Sequence, residues 1–327
     1  MLKLVRSGFS GSARAAFCQE IAKLAADGKR ACLIVPEQQT VLTEGLLASL
    51  LPSSAALLFE VTNFTRLANT TFRALGGLSG EYCDKAKRAL IMWRTLTELA
   101  PTLAMTRGRS EISAGLVESS LSAVSEMQNL GISPVALAES AALDEVKSDN
   151  RLTSKLSDLA SIYSLYKKLL SERYADTGDD AEAMIKKLLE NKSFLSDTHI
   201  FIEGFTSFTE PQYRLIGLLS ARTSVSVALT LPKGREESFE FSGIVEAQRR
   251  LTASARKYGG DIKLVREEGN GAKTKEALQK ICLLLWSTNR LNDNISLQNP
   301  DDLRIFEAKT PYDECSFVCE DIRRRVM

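Results

Sequence analysis

The chain is poor in the residues on which most catalytic sites depend. Histidine occurs once in 327 residues, at His199, so neither a His-rich metal site nor a Ser-His-Asp triad can be built within this chain. The six cysteines (Cys18, Cys32, Cys83, Cys282, Cys315 and Cys319) include no CxxC pair. Cys315 and Cys319, one helical turn apart, are too few for a metal site, and thiols scattered in this way suit a reducing compartment. A net charge of +1 gives no global attraction for nucleic acid and leaves only a local basic stripe as a possibility. No apolar run approaches the roughly 18–20 residues that span a bilayer, and the first residues lack a signal-peptide pattern. A cytoplasmic protein without a membrane segment is expected.

What is present is ordinary globular composition, 44% hydrophobic and 25% charged, long enough for two domains or for one domain with a large insertion. Residues 1–80 alternate short apolar strands with amphipathic helices: strand Leu2–Val5, a helix carrying Phe17, Ile21 and Leu24, strand Ala31–Val35, strand Leu57–Val61, and a helix carrying Phe64, Leu67, Ala68 and Phe72. Such runs predict a parallel sheet covered on both faces. Residues 81–195 show no convincing strand and several helical stripes, among them Leu90, Trp93 and Leu96, then Leu116, Leu121, Val124 and Met127. The β/α alternation returns at His199–Ile202 and continues through Val225–Leu231, Asp261–Val265 and Leu303–Glu307, with helices near Tyr213–Leu219, Ile244–Tyr258 and Ala277–Trp286. The expectation is an α/β domain with a parallel sheet, split into residues 1–80 and 196–327 around an all-helical insertion at 81–195. A final helix beginning near Pro311 stops at Arg323-Arg324-Arg325-Val326-Met327 without a cap, which reads as a piece of a longer polypeptide.

The first strand and helix enclose Gly8-Phe9-Ser10-Gly11-Ser12-Ala13-Arg14-Ala15, laid out like the phosphate loop GxxxxGK[ST]. Gly8 fits the first glycine, but Ala13, Arg14 and Ala15 stand where the second glycine, the lysine and the magnesium-binding hydroxyl belong. Arginine can meet phosphate; alanine cannot hold Mg²⁺. Two readings fit: a degenerate phosphate site formed by Gly8, Gly11, Ser12 and Arg14, or a small-residue turn that binds nothing. Glu203, at the end of the apolar strand His199–Ile202, stands where such proteins keep the carboxylate for the metal, and Gly204 follows in place of a water-activating acid. Past the other strands, Gln38 in Val35-Pro36-Glu37-Gln38-Gln39-Thr40, and Asn63 and Arg66 in Thr62-Asn63-Phe64-Thr65-Arg66, could contact single-stranded DNA. A cap or core role fits the same residues.

The succession of phosphate-loop-like start, VPEQQT, VTNFTRLA, helical block, FIEGFTSFTEPQYRLIGLL and terminal helix ECSFVCEDIRRRV resembles the N-terminal region of AddB (RexB), second subunit of the bacterial ATP-dependent helicase–nuclease. That family shows G-R-x-G-x-G-K-T at the start, V-P-E-Q soon after, and a strand ending D-G-F-x-x-F-T-x-x-Q, met here as Glu203 through Gln212. Tyr174 through Asp180 is similar to the family's Y-x-D-x-x-D stretch. The resemblance implies a superfamily 1 helicase-like, RecA-like domain (1A) with a 1B-like helical insertion. It implies a half without motor activity that serves DNA passage and hotspot recognition in double-strand break repair, beside an AddA-type motor subunit. The family's nuclease and iron–sulfur cysteines lie beyond residue 327, so no catalytic residue or metal site is expected within this chain. The degenerate loop makes ATP and Mg²⁺ doubtful ligands. Two alternatives stay open: an active ATPase with Arg14 in place of lysine, and a pure docking scaffold.

Overall fold

The computed structural model describes residues 1–8, 12–52, 55, 57–76, 81–108, 111–172, 174–175, 180–267 and 306–326. The chain divides into two compact units, Met1–Gly269 and Asn270–Met327. Six strands of the first unit, β1 (Leu2–Ser7), β2 (Arg30–Ile34), β3 (Phe59–Thr62), β6 (Thr198–Ile202), β7 (Val225–Thr230) and β8 (Ile262–Glu267), form one sheet in the order β3-β2-β6-β7-β1-β8. Every pairing is parallel, with register partners such as Leu33↔Phe201, Ile202↔Val227 and Leu4↔Val227.

Both faces of the central strands are buried, because successive apolar side chains alternate in direction along each of them. Val5, Leu33 and Phe201 point to one side, where they meet Phe17, Cys18 and Ile21 of α1 (Ser12–Ala26) and Leu47 of α2 (Thr40–Leu50). Their neighbours Leu4, Ile34 and Ile202 point to the other. There they pack against α3 (Phe64–Leu75), α9 (Asp180–Glu190), α10 (Glu210–Ser220) and α11 (Ser242–Lys257). The Phe17 and Phe201 rings lie 5.1 Å apart and both are buried; withdrawing each such side chain from water contributes about 2–3 kcal/mol.

The chain leaves the sheet after α3 and returns at β6. Between them lie α4 (Lys85–Leu99), α5 (Ala114–Leu130), α6 (Pro134–Ala141), α7 (Asp144–Lys147) and α8 (Asn150–Ser171), which have a core of their own around Met92, Leu96, Val124, Ile162, Tyr163 and Tyr166. Buried Asp158 on α8 accepts the backbone N–H groups of Ala104 (3.1 Å) and Met105 (2.8 Å), tying that turn to α8. Two details depart from the sequence pattern. Leu90 and Trp93, expected inside, are exposed, because α4 turns Met92, Thr95 and Leu96 inward. The region expected to lack strands carries a short parallel ribbon, β4 (Glu81–Tyr82) with β5 (Tyr174–Ala175), too brief to leave an alternation in the sequence. Helix α9 contributes Met184, Ile185 and Leu188 to the core against the sheet.

In the second unit, α12 (Pro311–Val326) carries Phe317, whose ring stacks on Phe306 at 3.8 Å. The helix expected at Ala277–Trp286 and most of the strand expected at Leu303–Glu307 lie outside the described residues.

Candidate functional site

In a parallel sheet with helices on both faces, the loops at the carboxyl ends of the strands share one edge. All the candidate residues fall there. Strand β1 ends in buried Ser7, Gly8 follows, and α1 begins at Ser12; Gly11 lies outside the described residues. Ala13 is buried against the sheet, so the position that holds a glycine in an intact phosphate loop is here part of the core. Arg14, in the first turn of α1, crosses to the end of β6. Its Nε donates to Glu203 Oε2 at 2.8 Å, and Nη2 lies 2.6 Å from the same oxygen. Nη2 also donates to Gln39 Oε1 in the loop after β2.

The site is closed. The side chain of Glu203 is 4% exposed and that of Arg14 16%, so each charge depends on the other for compensation lost with water. The backbone of Glu203 is fixed as well, its N–H bonding Ile34 O at 3.1 Å. Gly204 follows with φ +88°, and a Cβ there would lie 2.8 Å from Gln39 Oε1 and 2.9 Å from Pro36 Cδ. Glycine is therefore required twice over, for the left-handed backbone and for the close approach of the Pro36 loop. Ala15 offers no side-chain oxygen to a cation, and the Glu203 carboxylate already carries a guanidinium. This donor set does not fit a magnesium-bound triphosphate. One turn on, the Cys18 thiol is pushed up to about 11 by burial, with Arg14 pulling it down and Glu203 pushing it up.

Further along the edge the side chains are open to solvent. Gln38 is exposed in the short turn Glu37–Gln39, and Arg66 is exposed in the first turn of α3. Asn63 lies between them in sequence but is buried; its Oδ1 accepts the Arg66 N–H at 2.8 Å and caps α3. Half-buried Phe64 meets Phe205 at 5.4 Å and Phe208 at 6.3 Å, both edge-on, and Phe208 meets Tyr213 at 5.5 Å. Arg250 completes the series 4.2 Å over the Tyr213 ring while pairing with Glu210. Thr209 and Gln212 form a capping box on α10, with Pro211 in its first turn.

Thus Arg14 and Glu203 come together, while Gln38 and Arg66 stand apart from them on the β2 and β3 loops. Gln39 was missed in the sequence, although it adjoins Gln38; nothing in VPEQQT tells which glutamine turns inward. Among the described residues no group of three or more His, Cys, Asp or Glu could hold a metal ion, and no helix is long and apolar enough to cross a membrane.

A RecA-like α/β protein is defined by this order, in which one strand, β7, separates the strand leading into the phosphate-loop-like segment from the strand ending in Glu203. Within that class, the family model described as "ADDB, N-terminal" matches residues 6–281, and the chain belongs to that family. It is similar to the B-type subunit of the ATP-dependent helicase/deoxyribonuclease of Acetivibrio thermocellus, 30% identical over 259 residues, covering 77% of this chain and 22% of the relative. The protein of the same name from Caldanaerobacter subterraneus is 31% identical over 228 residues, 68% of this chain and 19% of the relative. The one from Clostridium perfringens strain ATCC 13124 is 25% identical over 339 residues, covering 98% of this chain and 28% of the relative. The chain therefore spans between about a fifth and somewhat over a quarter of these relatives' length.

Proposed function

We propose that this chain is a non-motor, helicase-like module of an AddB-type subunit, acting in double-strand break repair by homologous recombination. It guides single-stranded DNA along the carboxyl edge of the sheet and docks an AddA-type motor subunit. The supporting observation is the Arg14–Glu203 pair: the residue placed to hold phosphate and the residue placed to hold its metal neutralise one another. At the described positions Arg14 and Ala15 stand in place of the lysine that follows the γ-phosphate and the hydroxyl for Mg²⁺, and the Glu203 carboxylate is already paired, which argues against nucleotide turnover here. DNA contact is assigned to Gln38 and Arg66, with Asn63 holding the α3 end that presents Arg66. The relatives' name, which makes each of them one subunit of a helicase/deoxyribonuclease, supports the assignment of a partner subunit.

Titration with labelled ATP, with and without Mg²⁺, and with a labelled single-stranded oligonucleotide at low and moderate salt tests the reading. Expected are no nucleotide binding at millimolar ATP and salt-sensitive DNA binding. ATP turnover that disappears in Arg14→Ala would establish the ATPase alternative instead. Absence of DNA binding even at low salt would leave the docking scaffold.

A further inference from the structure

The Arg14 side chain joins three segments that the sheet delivers separately: the start of α1, the end of β6 and the loop after β2. In the sheet order β7 lies between β1 and β6; α1, which packs Phe17 on Phe201 of β6, carries Arg14 across to the end of that strand. Two of its nitrogens meet Glu203, and one of these also meets Gln39. A lysine, with a single terminal nitrogen and no rigid fork, could not reproduce that geometry. The loop is gripped from its other side too, since Pro36 and Gln39 close on the missing side chain of Gly204. The grip is passed on: Gln39 N–H donates to Pro36 O at 2.9 Å, Thr40 Oγ1 to Glu37 O at 2.8 Å, and Thr43 Oγ1 to Gln39 O at 2.7 Å. The turn from Pro36 to Gln39 is thereby continuous with α2, and Gln38 is presented at its crest.

We propose that Arg14 is a positioning residue, a built-in latch whose guanidinium takes the place of a phosphate–metal pair and holds the Gln38 loop in one conformation without nucleotide. In a protein that binds nucleotide at this edge, the gap between these three segments fills and empties, and the loops around it can respond. Here the gap is filled by a covalently attached cation, so the loop has one setting. What the loop presents Gln38 to rests on the DNA-guiding reading above; the latch itself rests only on Arg14, Glu203 and Gln39.

Amide hydrogen exchange read by mass spectrometry tests it in the wild-type chain, Arg14→Lys and Gln39→Ala, each with and without millimolar Mg-ATP. Arg14→Lys keeps the charge beside Glu203 but loses the fork; Gln39→Ala leaves the Arg14–Glu203 pair intact and removes only the loop's arm. The expected result is exchange at residues 37–40 faster by about ten-fold in both variants, the scale of one lost charge-assisted hydrogen bond, with β7 amides unchanged and no effect of Mg-ATP. Unchanged exchange of the loop in Gln39→Ala, or slowing of the wild-type loop by Mg-ATP, overturns the latch. Binding of a single-stranded oligonucleotide, measured in parallel, separates the two readings. A wild-type chain that binds none defeats the DNA-guiding reading while leaving a loop response to Gln39→Ala as support for the latch.

Discussion

The two halves of the sheet's carboxyl edge use the same kinds of residue in opposite ways. On the half built from β1, α1 and the end of β6, charged side chains turn inward and meet one another, Arg14 on Glu203. On the half built from the β2 and β3 loops, Gln38 and Arg66 turn outward and remain exposed. The first arrangement leaves no charge for a ligand and stabilises the fold; the second contributes little to the fold and leaves its donors free for one. On the function proposed above, this division gives the first half to the fold and the second to DNA.

Substitution should reverse the ranking of the two halves depending on what is measured. Arg14→Ala leaves a nearly inaccessible carboxylate without its partner, and loss of about 3–5 kcal/mol of stability is expected in urea unfolding. Arg66→Ala should change stability by no more than about 0.5 kcal/mol. Against DNA the order inverts: Arg66→Ala should weaken binding and lower the slope of log affinity against log salt by about 1. Equal destabilisation by the two substitutions would erase the distinction between the halves.

Gly204→Ala comes next in size. The substitution places a Cβ at φ +88° against Gln39 Oε1 and Pro36 Cδ, and backbone strain with a displaced loop should together cost about 2 kcal/mol. The loss should be accompanied by faster amide exchange at 37–40, since the loop must lift to admit the methyl group. A stable Gly204→Ala with an undisturbed loop would mean that the loop is not seated on this glycine.

The parallel sheet was legible because apolar strands buried on both faces leave runs such as Cys32-Leu33-Ile34-Val35 that little else explains. That Arg14 and Ala15 stand where a phosphate loop has its lysine and hydroxyl was legible too, as a matter of sequence alone. Pairing and facing were not. Nothing in the sequence says that Arg14 reaches across β7 to Glu203, because the strand order that sets their separation is a property of the assembled sheet. Nor does VPEQQT reveal that Gln39 turns in while Gln38 turns out, as both lie in one short turn whose direction Gly204 sets from a segment more than 160 positions away. Asn63 has the spacing of a cap and of a surface donor alike; only its burial and the bond to the Arg66 N–H distinguish them. The misread face of α4 has a similar origin, since Leu90 and Met92 fit different stripes of one helix and packing against α5 and α8 selects between them.

Asn63 supplies a smaller test within the second half, on the loop after β3. Asn63→Ala removes the α3 cap and should cost about 1 kcal/mol, while Asn63→Asp, which keeps an acceptor for the same N–H, should cost less. DNA affinity measured on the folded protein should fall less in Asn63→Asp than in Arg66→Ala, because the buried side chain acts through the helix end it holds. An Asn63→Asp variant as weak toward DNA as Arg66→Ala would give Asn63 a direct contact instead.

The smallest effect is expected from a second inward-facing group, at the opposite end of the sheet. Arg6 on β1 and Arg266 on β8 are register partners and share Glu236 from the loop after β7, at 3.1 Å and 2.7 Å. A hydrogen bond from its own backbone and the two guanidinium groups hold the Glu236 carboxyl below its ordinary value. A carboxylate whose folded-state pKa is depressed stabilises the fold above its unfolded pKa, about 4.3, and that contribution disappears as pH falls through the lower folded value. Glu236 is 34% exposed, against 4% for Glu203, so solvent screens it and about half a kcal/mol or less is at stake. Urea unfolding from pH 7 down to pH 3 should show wild type and Glu236→Gln differing by a small constant amount at neutral pH and converging below about pH 4.3. A gap that stays constant through the acid range would mean that neither its own backbone nor the two arginines hold this carboxylate down, and that the charges of this edge matter to the fold only where breaking a pair strands a buried one, at Arg14 and Glu203.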